Sequence, residues 1–286
     1  KHDGGEKKKT EGSRENQTSN PAHTHLMATP EEIFKRLAEI AEGILGNDND
    51  IRKQCEAALI EVKTQPDAYV QGLMNLIDTH ADGAVRSFAA VMLRKDLTKL
   101  ITERNQAQMW NLITPETAAL VKNNIIGLGQ KETISTVRNK IADAISEIVV
   151  TVFDVEDQGG DPRQEWPSVL TDIMTLSVSE DVGLAGMGLR VLEQLVMYLN
   201  EYFKDSMETL YNIINSNLDS SSWDNRKLAI GNYSNLVDMT ENLDVREGLK
   251  GLIPKVLTTC YAIIVEDEIL GASALESLVE LAEDDC

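Results

Sequence analysis

Three cations on one apolar segment are the first candidates for a functional site. The stretch GAVRSFAAVMLRKDL, residues 83–97, has apolar residues at three- and four-residue spacing, as a buried helix does, yet it contains Arg86, Arg94 and Lys95. Guanidinium and ammonium groups bind carboxylates and phosphates. These side chains therefore either bind a partner or form ion pairs with neighbouring helices. The arrangement of the helices decides between a binding role and a structural role.

Residues suited to catalysis or metal binding are scarce. Three of the four histidines fall within residues 1–28, and His80, between Asp78 and Asp82, fits an inter-helix loop better than a metal site. The sequence GLGQ at 127–130 lacks the remaining spacing of a phosphate loop. No Gly-x-Ser-x-Gly, His-Glu-x-x-His or paired-cysteine motif occurs. We therefore expect no enzymatic activity, no metal and no cofactor.

The charge of the chain restricts its partners. With 47 acidic and 27 basic residues, the formal net charge is −20. A nucleic-acid-binding protein needs a basic face, so we expect no nucleic acid partner, and a basic protein is the better match. The alternative is that the negative charge only keeps the protein in solution. No apolar run reaches the roughly 18 residues of a membrane span, so no membrane partner is expected either.

The three cysteines are Cys55, Cys260 and Cys286. They have neither metal-ligand spacing nor the density of a disulfide framework, which indicates a reducing compartment.

The chain divides into a polar tail and a helical remainder. Residues 1–28 contain almost no apolar side chains, so we expect them to be disordered. Residues 29–286 have helical periodicity nearly throughout. Helix starts are predicted at residues 29–30, 114–115 and 166–167, from a capping threonine or an early proline. Because the chain begins with Lys and ends within a helical pattern, we expect a fragment of a longer protein.

Five similar segments indicate an internal repeat. In each segment a polar turn precedes a helix, and in four of them the helix begins with an arginine, whereas the fourth has Ala185. Three residues after the arginine position, four of the five segments have a small residue, which suits a close crossing of two helices. The third segment has Ile141 at this position. The unit spacings of 34, 52, 47 and 41 residues scatter around the roughly 40 to 47 of two-helix HEAT or armadillo repeats. The arginines are Arg52, Arg86, Arg138 and Arg226, and the small residues are Cys55, Ala89, Gly188 and Ala229.

This repeat predicts an all-α fold, a right-handed α-solenoid of about six HEAT repeats over residues 29–286. Each unit would bury its apolar stripe only against neighbouring units, and the second helices of the pairs would line one long surface. An irregular helical bundle is the alternative. We interpret Arg86, Arg138 and Arg226 as structural cations that bond neighbouring turns.

Several segments resemble the importin-β (karyopherin-β) superfamily. IRKQCEAALIEVKTQPDAYVQGLMNLI followed by VRSFAAVMLRKDL is similar to the N-terminal module of that family, with an Ala-Ala-x-x-Leu-basic-basic pattern at residues 89–95. The acidic Gly-rich loop followed by Trp-Pro at 166–167 is similar too, and ASALESLVELAEDD resembles the importin beta-3 branch. The resemblance spans residues 30–285 and places the N-terminal module at about 33–101. Ala185 and Ile141 depart from the pattern.

The resemblance implies a nuclear transport receptor that shuttles between cytoplasm and nucleus, carries basic cargo and contacts FG-repeat nucleoporins. In the family, the small GTPase Ran in its GTP form binds the N-terminal repeats and releases cargo. These contacts carry over to Arg94 and Lys95 and, less directly, to Arg52, Glu56 and Ser87. The alternative is a HEAT-repeat scaffold subunit of a signalling or phosphatase complex, which would not bind Ran.

Overall fold

A computed structural model of the chain describes residues 29–98, 108–153, 162–240 and 243–284. Within these ranges there are fourteen α-helices and no strand. The tail predicted at 1–28 and residues 154–161 of the acidic loop lie outside the described residues, whereas residues 162–165 of that loop form a short helix. The helices are α1 (Pro30–Leu45), α2 (Asn49–Val62), α3 (Pro66–Thr79), α4 (Gly83–Thr98), α5 (Pro115–Lys131), α6 (Ser135–Phe153), α7 (Pro162–Glu165), α8 (Val169–Leu176), α9 (Val182–Tyr198), α10 (Met207–Asn217), α11 (Trp223–Met239), α12 (Leu243–Lys250), α13 (Ile253–Glu266) and α14 (Glu268–Asp284).

Six helical hairpins stack in sequence order. The pairs are α1–α2, α3–α4, α5–α6, α8–α9, α10–α11 and α13–α14, and the helices of each pair pack against each other. The second helices form a continuous row, in which α4 packs on α6, α6 on α9, α9 on α11, and α11 on α14. We call the solvent-facing side of this row the second-helix face. This arrangement confirms the predicted solenoid and excludes an irregular bundle.

The first hairpin joins the stack differently from the others. Helix α1 contacts both α3 and α4, whereas α2 packs mainly on α1. Only Leu59 and Val62 of α2 are buried. The row of second helices therefore begins at α4.

Two of the three predicted helix starts are confirmed, and the third is displaced. Thr29 Oγ1 accepts a hydrogen bond from Glu32 N at 3.3 Å, and Thr114 Oγ1 accepts one from Thr117 N at 3.4 Å. Helix α8, by contrast, begins at Val169. The buried Trp166 occupies a turn, and its carbonyl accepts a hydrogen bond from Val169 N at 3.3 Å, so the helix starts after the turn.

The first-turn arginines share one structural role. Each donates a hydrogen bond to the backbone carbonyl six residues earlier, at or just past the end of the preceding helix. Carbonyls at a helix end lack intrahelical partners, and the helix dipole favours a cation there. This confirms the predicted role of Arg86, Arg138 and Arg226. Arg52 has the same role, and Arg246 adds an instance that the sequence analysis missed. The bonds are Arg52 to Gly46 O (2.8 Å), Arg86 to His80 O (2.8 Å), Arg138 to Glu132 O, Arg226 to Ser220 O (2.5 Å) and Arg246 to Thr240 O (2.7 Å).

The fourth hairpin, which has Ala185 in place of the arginine, is held from the fifth hairpin instead. Asn217 Nδ2 donates to Ser177 O at 2.8 Å, and Asn225 Nδ2 donates to Val182 O at 2.9 Å. Asn232 and Asn235 continue this line of bonds, to Leu189 O at 3.0 Å and Glu193 O at 2.9 Å. Asparagines therefore replace the arginine at this junction.

At Gly188 the two helices of the fourth hairpin cross closely, as predicted for the small residue of that unit. A Cβ on Gly188 of α9 would lie 2.5 Å from the backbone nitrogen of Ser177, which follows α8. The larger Ile141 fits on α6 because Gly129 of α5 faces it; a Cβ on Gly129 would lie 3.3 Å from Ile141 Cγ2.

Candidate protein-binding site

The structure distributes the five predicted partner-binding residues over two helices. Arg94, Lys95 and Ser87 lie on α4, and Arg52 and Glu56 lie on α2. Lys95 and Glu56 are exposed, whereas the other three are half-buried. In the part of the chain that the structure describes, no hydrogen bond or ion pair joins any two of the five. Their binding role stays a prediction.

The geometry separates Arg94 and Lys95 from the rest. Ser87 precedes Arg94 by seven residues, which is about 10 Å along an α-helix. The Arg52 side chain already donates to two carbonyls at the C-terminal end of α1, Ile44 O at 3.2 Å and Gly46 O at 2.8 Å. Lys95 makes no ion pair within the described ranges, so its ammonium group is available to a partner.

Arg94 belongs to a charged group that the sequence analysis missed, here called the Asp143 cluster. It comprises Arg94 of α4, Lys140, Asp143 and Glu147 of α6, and Arg190 of α9. Asp143 Oδ1 accepts a hydrogen bond from Arg190 Nε at 2.6 Å, and Asp143 Oδ2 lies 3.6 Å from Lys140 Nζ and 3.9 Å from Arg94 Nη1. Arg94 Nη1 also lies 3.4 Å from Glu147 Oε1.

The stacking of second helices creates this cluster. Asp143 lies five residues after Arg138, and Arg190 lies five residues after Ala185, so the two occupy equivalent positions of consecutive units. Because α6 packs on α9, these equivalent positions meet. The sequence does contain a pattern that could have predicted this contact: the opposite charges of Asp143 and Arg190 are 47 residues apart, which is the length of one repeat unit.

The row of charges continues along α9 to α11. Burial raises the pKa of the Glu193 carboxyl above its ordinary value, while the cations Lys227 and Arg190 act in the opposite direction. Lys227 lies on α11. Cations on four consecutive second helices therefore line this face.

The described residues line cavities on both sides of the stack, and two of them bear on binding. A polar cavity of about 300 Å³ lies beside Glu147 on the second-helix face, and Thr98, Thr151, Gln194 and Tyr198 contribute to its lining. A groove of about 1200 Å³ lies on the opposite, first-helix side between α5 and the α7–α8 region. Apolar and aromatic residues contribute to its walls, including Trp110, Ile113, Ile126, Trp166 and Leu184.

The acidic residues of two inter-helix connections have structural roles. His80 and Asp82 lie between the end of α3 at Thr79 and the start of α4 at Gly83, which confirms an inter-helix loop, and His80 Nδ1 accepts a hydrogen bond from Asp82 N at 3.1 Å. Asp78, in the last turn of α3, pairs with Lys131 at 3.3 Å. Asp267 caps α14 by accepting bonds from the backbone nitrogens of residues 269 and 270. Among the described residues there is no group of His, Cys, Asp or Glu that could hold a metal ion. None of the described helices is long and apolar enough to cross a membrane.

Two family models match the chain and together cover most of the helical region. Residues 55–130 match the importin-beta N-terminal domain, and residues 133–285 match the model described as IPO5-like, TPR repeats.

Individual proteins give a consistent result. Mouse importin-4 is 26% identical over 254 residues, which cover 86% of this chain and 21% of that protein. Importin subunit beta-3 of Saccharomyces cerevisiae is 25% identical over 269 residues, which cover 90% of this chain and 23% of that protein. The crystal structure of Kap121p has a similar fold, with a TM-score of 0.67 at 22% identity, over 89% of this chain and 23% of that one. The chain thus spans between a fifth and a quarter of the length of these relatives.

Proposed function

Because the chain belongs to the importin-β superfamily, we propose that it is part of a nuclear transport receptor that binds Ran-GTP through its second-helix face. Arg94 and Lys95 of α4 are the residues we expect to contribute most. The observation that carries this proposal is the position of Lys95, which is exposed and unpaired in the described part of α4 at the beginning of the second-helix row. Arg52, Glu56 and Ser87 would contribute at the edge of the contact.

The complexes of a structural neighbour support the partners proposed. Kap121p has been crystallised with RanGTP, with Nup53p, and with Ste12p and Pho4p. We propose that this chain shares a Ran partner, a nucleoporin partner and protein cargo. The net charge of −20 favours basic cargo. The receptor would shuttle between cytoplasm and nucleus and would have no catalytic role.

The first-helix groove is the surface we propose for FG-repeat nucleoporins. A phenylalanine side chain gains free energy when its apolar surface leaves water, and the walls around Trp110, Ile126 and Trp166 offer such an environment. A HEAT scaffold has no requirement for this partner or for Ran. Membership of the importin-β superfamily favours the receptor over the scaffold.

A binding experiment with Ran in its two nucleotide states tests the proposal. We expect the chain to retain Ran-GTP and not Ran-GDP, and a Phe-Gly repeat peptide serves as a second bait for the groove. The variant Arg94→Gln/Lys95→Glu should weaken Ran-GTP binding about tenfold or more, since charged hydrogen bonds contribute about 1.5 to 3 kcal/mol each. Glutamine is preferred at Arg94 because a third carboxylate beside Asp143 and Glu147 would destabilise the fold.

The matched control for this experiment is Lys35→Glu/Lys204→Gln, which makes the same change in net charge at side chains that are 81% and 67% exposed. It should leave Ran-GTP binding unchanged. Equal binding of both nucleotide states, or of neither, would refute the receptor proposal. If the α4 double variant keeps its melting temperature and its affinity for Ran-GTP, these two residues are not part of the contact.

A further inference from the structure

The Asp143 cluster has more positive charge than its own carboxylates neutralise. The three cations Arg94, Lys140 and Arg190 face the two carboxylates Asp143 and Glu147. The neighbouring carboxylate, Glu193, is opposed in turn by Lys227 of α11, so one positive charge remains along the row. Lys95, the next residue on α4, adds another. In a chain with a net charge of −20, this is a local reversal of sign.

Most hydrogen-bond donors of the cluster have no acceptor. Among the described residues, the bond from Arg190 Nε to Asp143 is the only hydrogen bond that these three cationic side chains make. Arg94 Nε is buried and has no partner at all. A guanidinium has five N–H donors and an ammonium has three, so most of their bonding capacity is unused by the protein.

The cations are positioned to reach a ligand. The side chains of Lys140 and Arg190 are 43% and 37% exposed, whereas Asp143 between them is only 15% exposed. The carboxylate thus lies deeper than the Lys140 and Arg190 side chains that it pairs with, and those two side chains remain partly open to solvent. The polar cavity of about 300 Å³ that includes Glu147 lies directly beside them.

We infer that the Asp143 cluster binds a protein segment with clustered aspartate or glutamate side chains, whose carboxylates fill the free donors of Arg94, Lys140 and Arg190. The inference rests on the proposed function, because it describes the part of a protein partner that contacts this face. A short acidic segment fits better than a nucleic acid, since the surrounding negative charge of the chain repels a long polyanion.

The test measures binding of three probes: Ran-GTP, a peptide of eight glutamates, and a single-stranded oligonucleotide. We expect Lys140→Gln/Arg190→Gln to lower affinity for Ran-GTP and for the peptide about tenfold. Raising the salt concentration should weaken peptide binding to the unmodified chain. The control is Lys131→Gln/Lys204→Gln, which makes the same change in net charge at lysines that pair with Asp78 and Glu201 instead. An equal loss in this control would show a net-charge effect and overturn the inference.

Asp143→Asn provides a second test, in which the affinity for the peptide should rise and not fall. It removes a negative charge from the cluster, so the peptide should bind more tightly, whereas purely structural cations would leave peptide binding unchanged and contradict the inference. Tighter binding of the oligonucleotide than of the peptide would also contradict it. If the unmodified chain binds the peptide through the cluster but not Ran-GTP, the proposed function fails and the inference stands. If the Lys140→Gln/Arg190→Gln variant binds Ran-GTP normally, the inference fails and the proposed function stands.

Discussion

At the scale of single residues, burial distinguishes two ion pairs of similar length. Arg86 Nε lies 2.7 Å from Glu132 Oε2, with side chains 13% and 4% exposed. Arg36 Nη2 lies 2.6 Å from Glu61 Oε2, with side chains 49% and 69% exposed. Removing one partner of a buried pair leaves an uncompensated charge, whereas an exposed pair is screened by water.

We therefore predict that Glu132→Gln destabilises the fold by about 3 kcal/mol, while Arg36→Gln costs less than about 1 kcal/mol. Urea denaturation of the two variants at neutral pH measures both values. The Arg86 guanidinium holds the pKa of the Glu132 carboxyl below its ordinary value. The stability from this pair is therefore present above pH 4.5 and is lost as pH falls through the lowered pKa. Similar losses in both variants would show that burial is not decisive.

The effect of Glu193 on stability depends on pH in the opposite direction to that of Glu132. Burial raises the pKa of its carboxyl from an ordinary value of 4.5, so the folded state retains a proton that the unfolded state releases. The chain then loses stability as pH rises from 4.5 through the raised pKa. We predict that Glu193→Gln gains stability relative to the unmodified chain over this interval, as measured by urea titrations at several pH values. If the free energies of unfolding of the variant and the unmodified chain differ by the same amount at every pH between 4 and 8, this prediction is wrong.

At the scale of helices, the distance to the neighbouring backbone decides whether replacing a glycine with alanine stabilises or destabilises the fold. A Cβ on Gly127 of α5 would meet no atom within 4 Å, whereas one on Gly188 of α9 would lie 2.5 Å from Ser177 N and 2.9 Å from the carbonyl carbon of Leu176. Backbone atoms cannot yield as a flexible side chain can. The same substitution should therefore have opposite effects at the two positions.

We predict that Gly127→Ala stabilises the chain by up to about 1 kcal/mol, because alanine favours the helix and meets no neighbour. Gly188→Ala should destabilise it by about 1 to 3 kcal/mol, because α8 and α9 must move apart. Thermal unfolding of both variants provides the comparison, and each serves as the control for the other. Destabilisation by Gly127→Ala would mean that α5 packs more tightly there than the structure shows.

At the scale of the whole molecule, the sequence predicted the repeat better than the contacts between repeats. The four predicted first-turn arginines were visible because each donates to a backbone carbonyl of its own hairpin, at a fixed distance of six residues. The bonds between hairpins depend on which side chains meet across two helices, and no local pattern specifies that. Asn217, which bonds Ser177 O forty residues earlier, could not be distinguished in the sequence from an exposed asparagine.

The contacts between hairpins nevertheless follow one rule. The polar bonds from Arg86 to Glu132, Asp143 to Arg190 and Asn217 to Ser177 join residues 40 to 47 apart, which is one repeat unit. These bonds join the second hairpin to the third, the third to the fourth and the fourth to the fifth. The stability of such a stack is approximately a sum over units and nearest-neighbour interfaces. Damage at one interface should stay near that interface.

Hydrogen exchange can measure how far such damage spreads. We predict that Asn217→Ala, which removes a buried side-chain bond between the fourth and fifth hairpins, increases amide exchange in α8 to α11 and leaves α1 to α4 unchanged. Glu132→Gln should instead increase exchange in α3 to α6, because its pair with Arg86 joins the second and third hairpins. Local opening of this kind is what nearest-neighbour coupling allows. If either variant increases exchange uniformly along the chain, the six hairpins unfold as one cooperative unit, and the solenoid would be less pliable than its stacking implies.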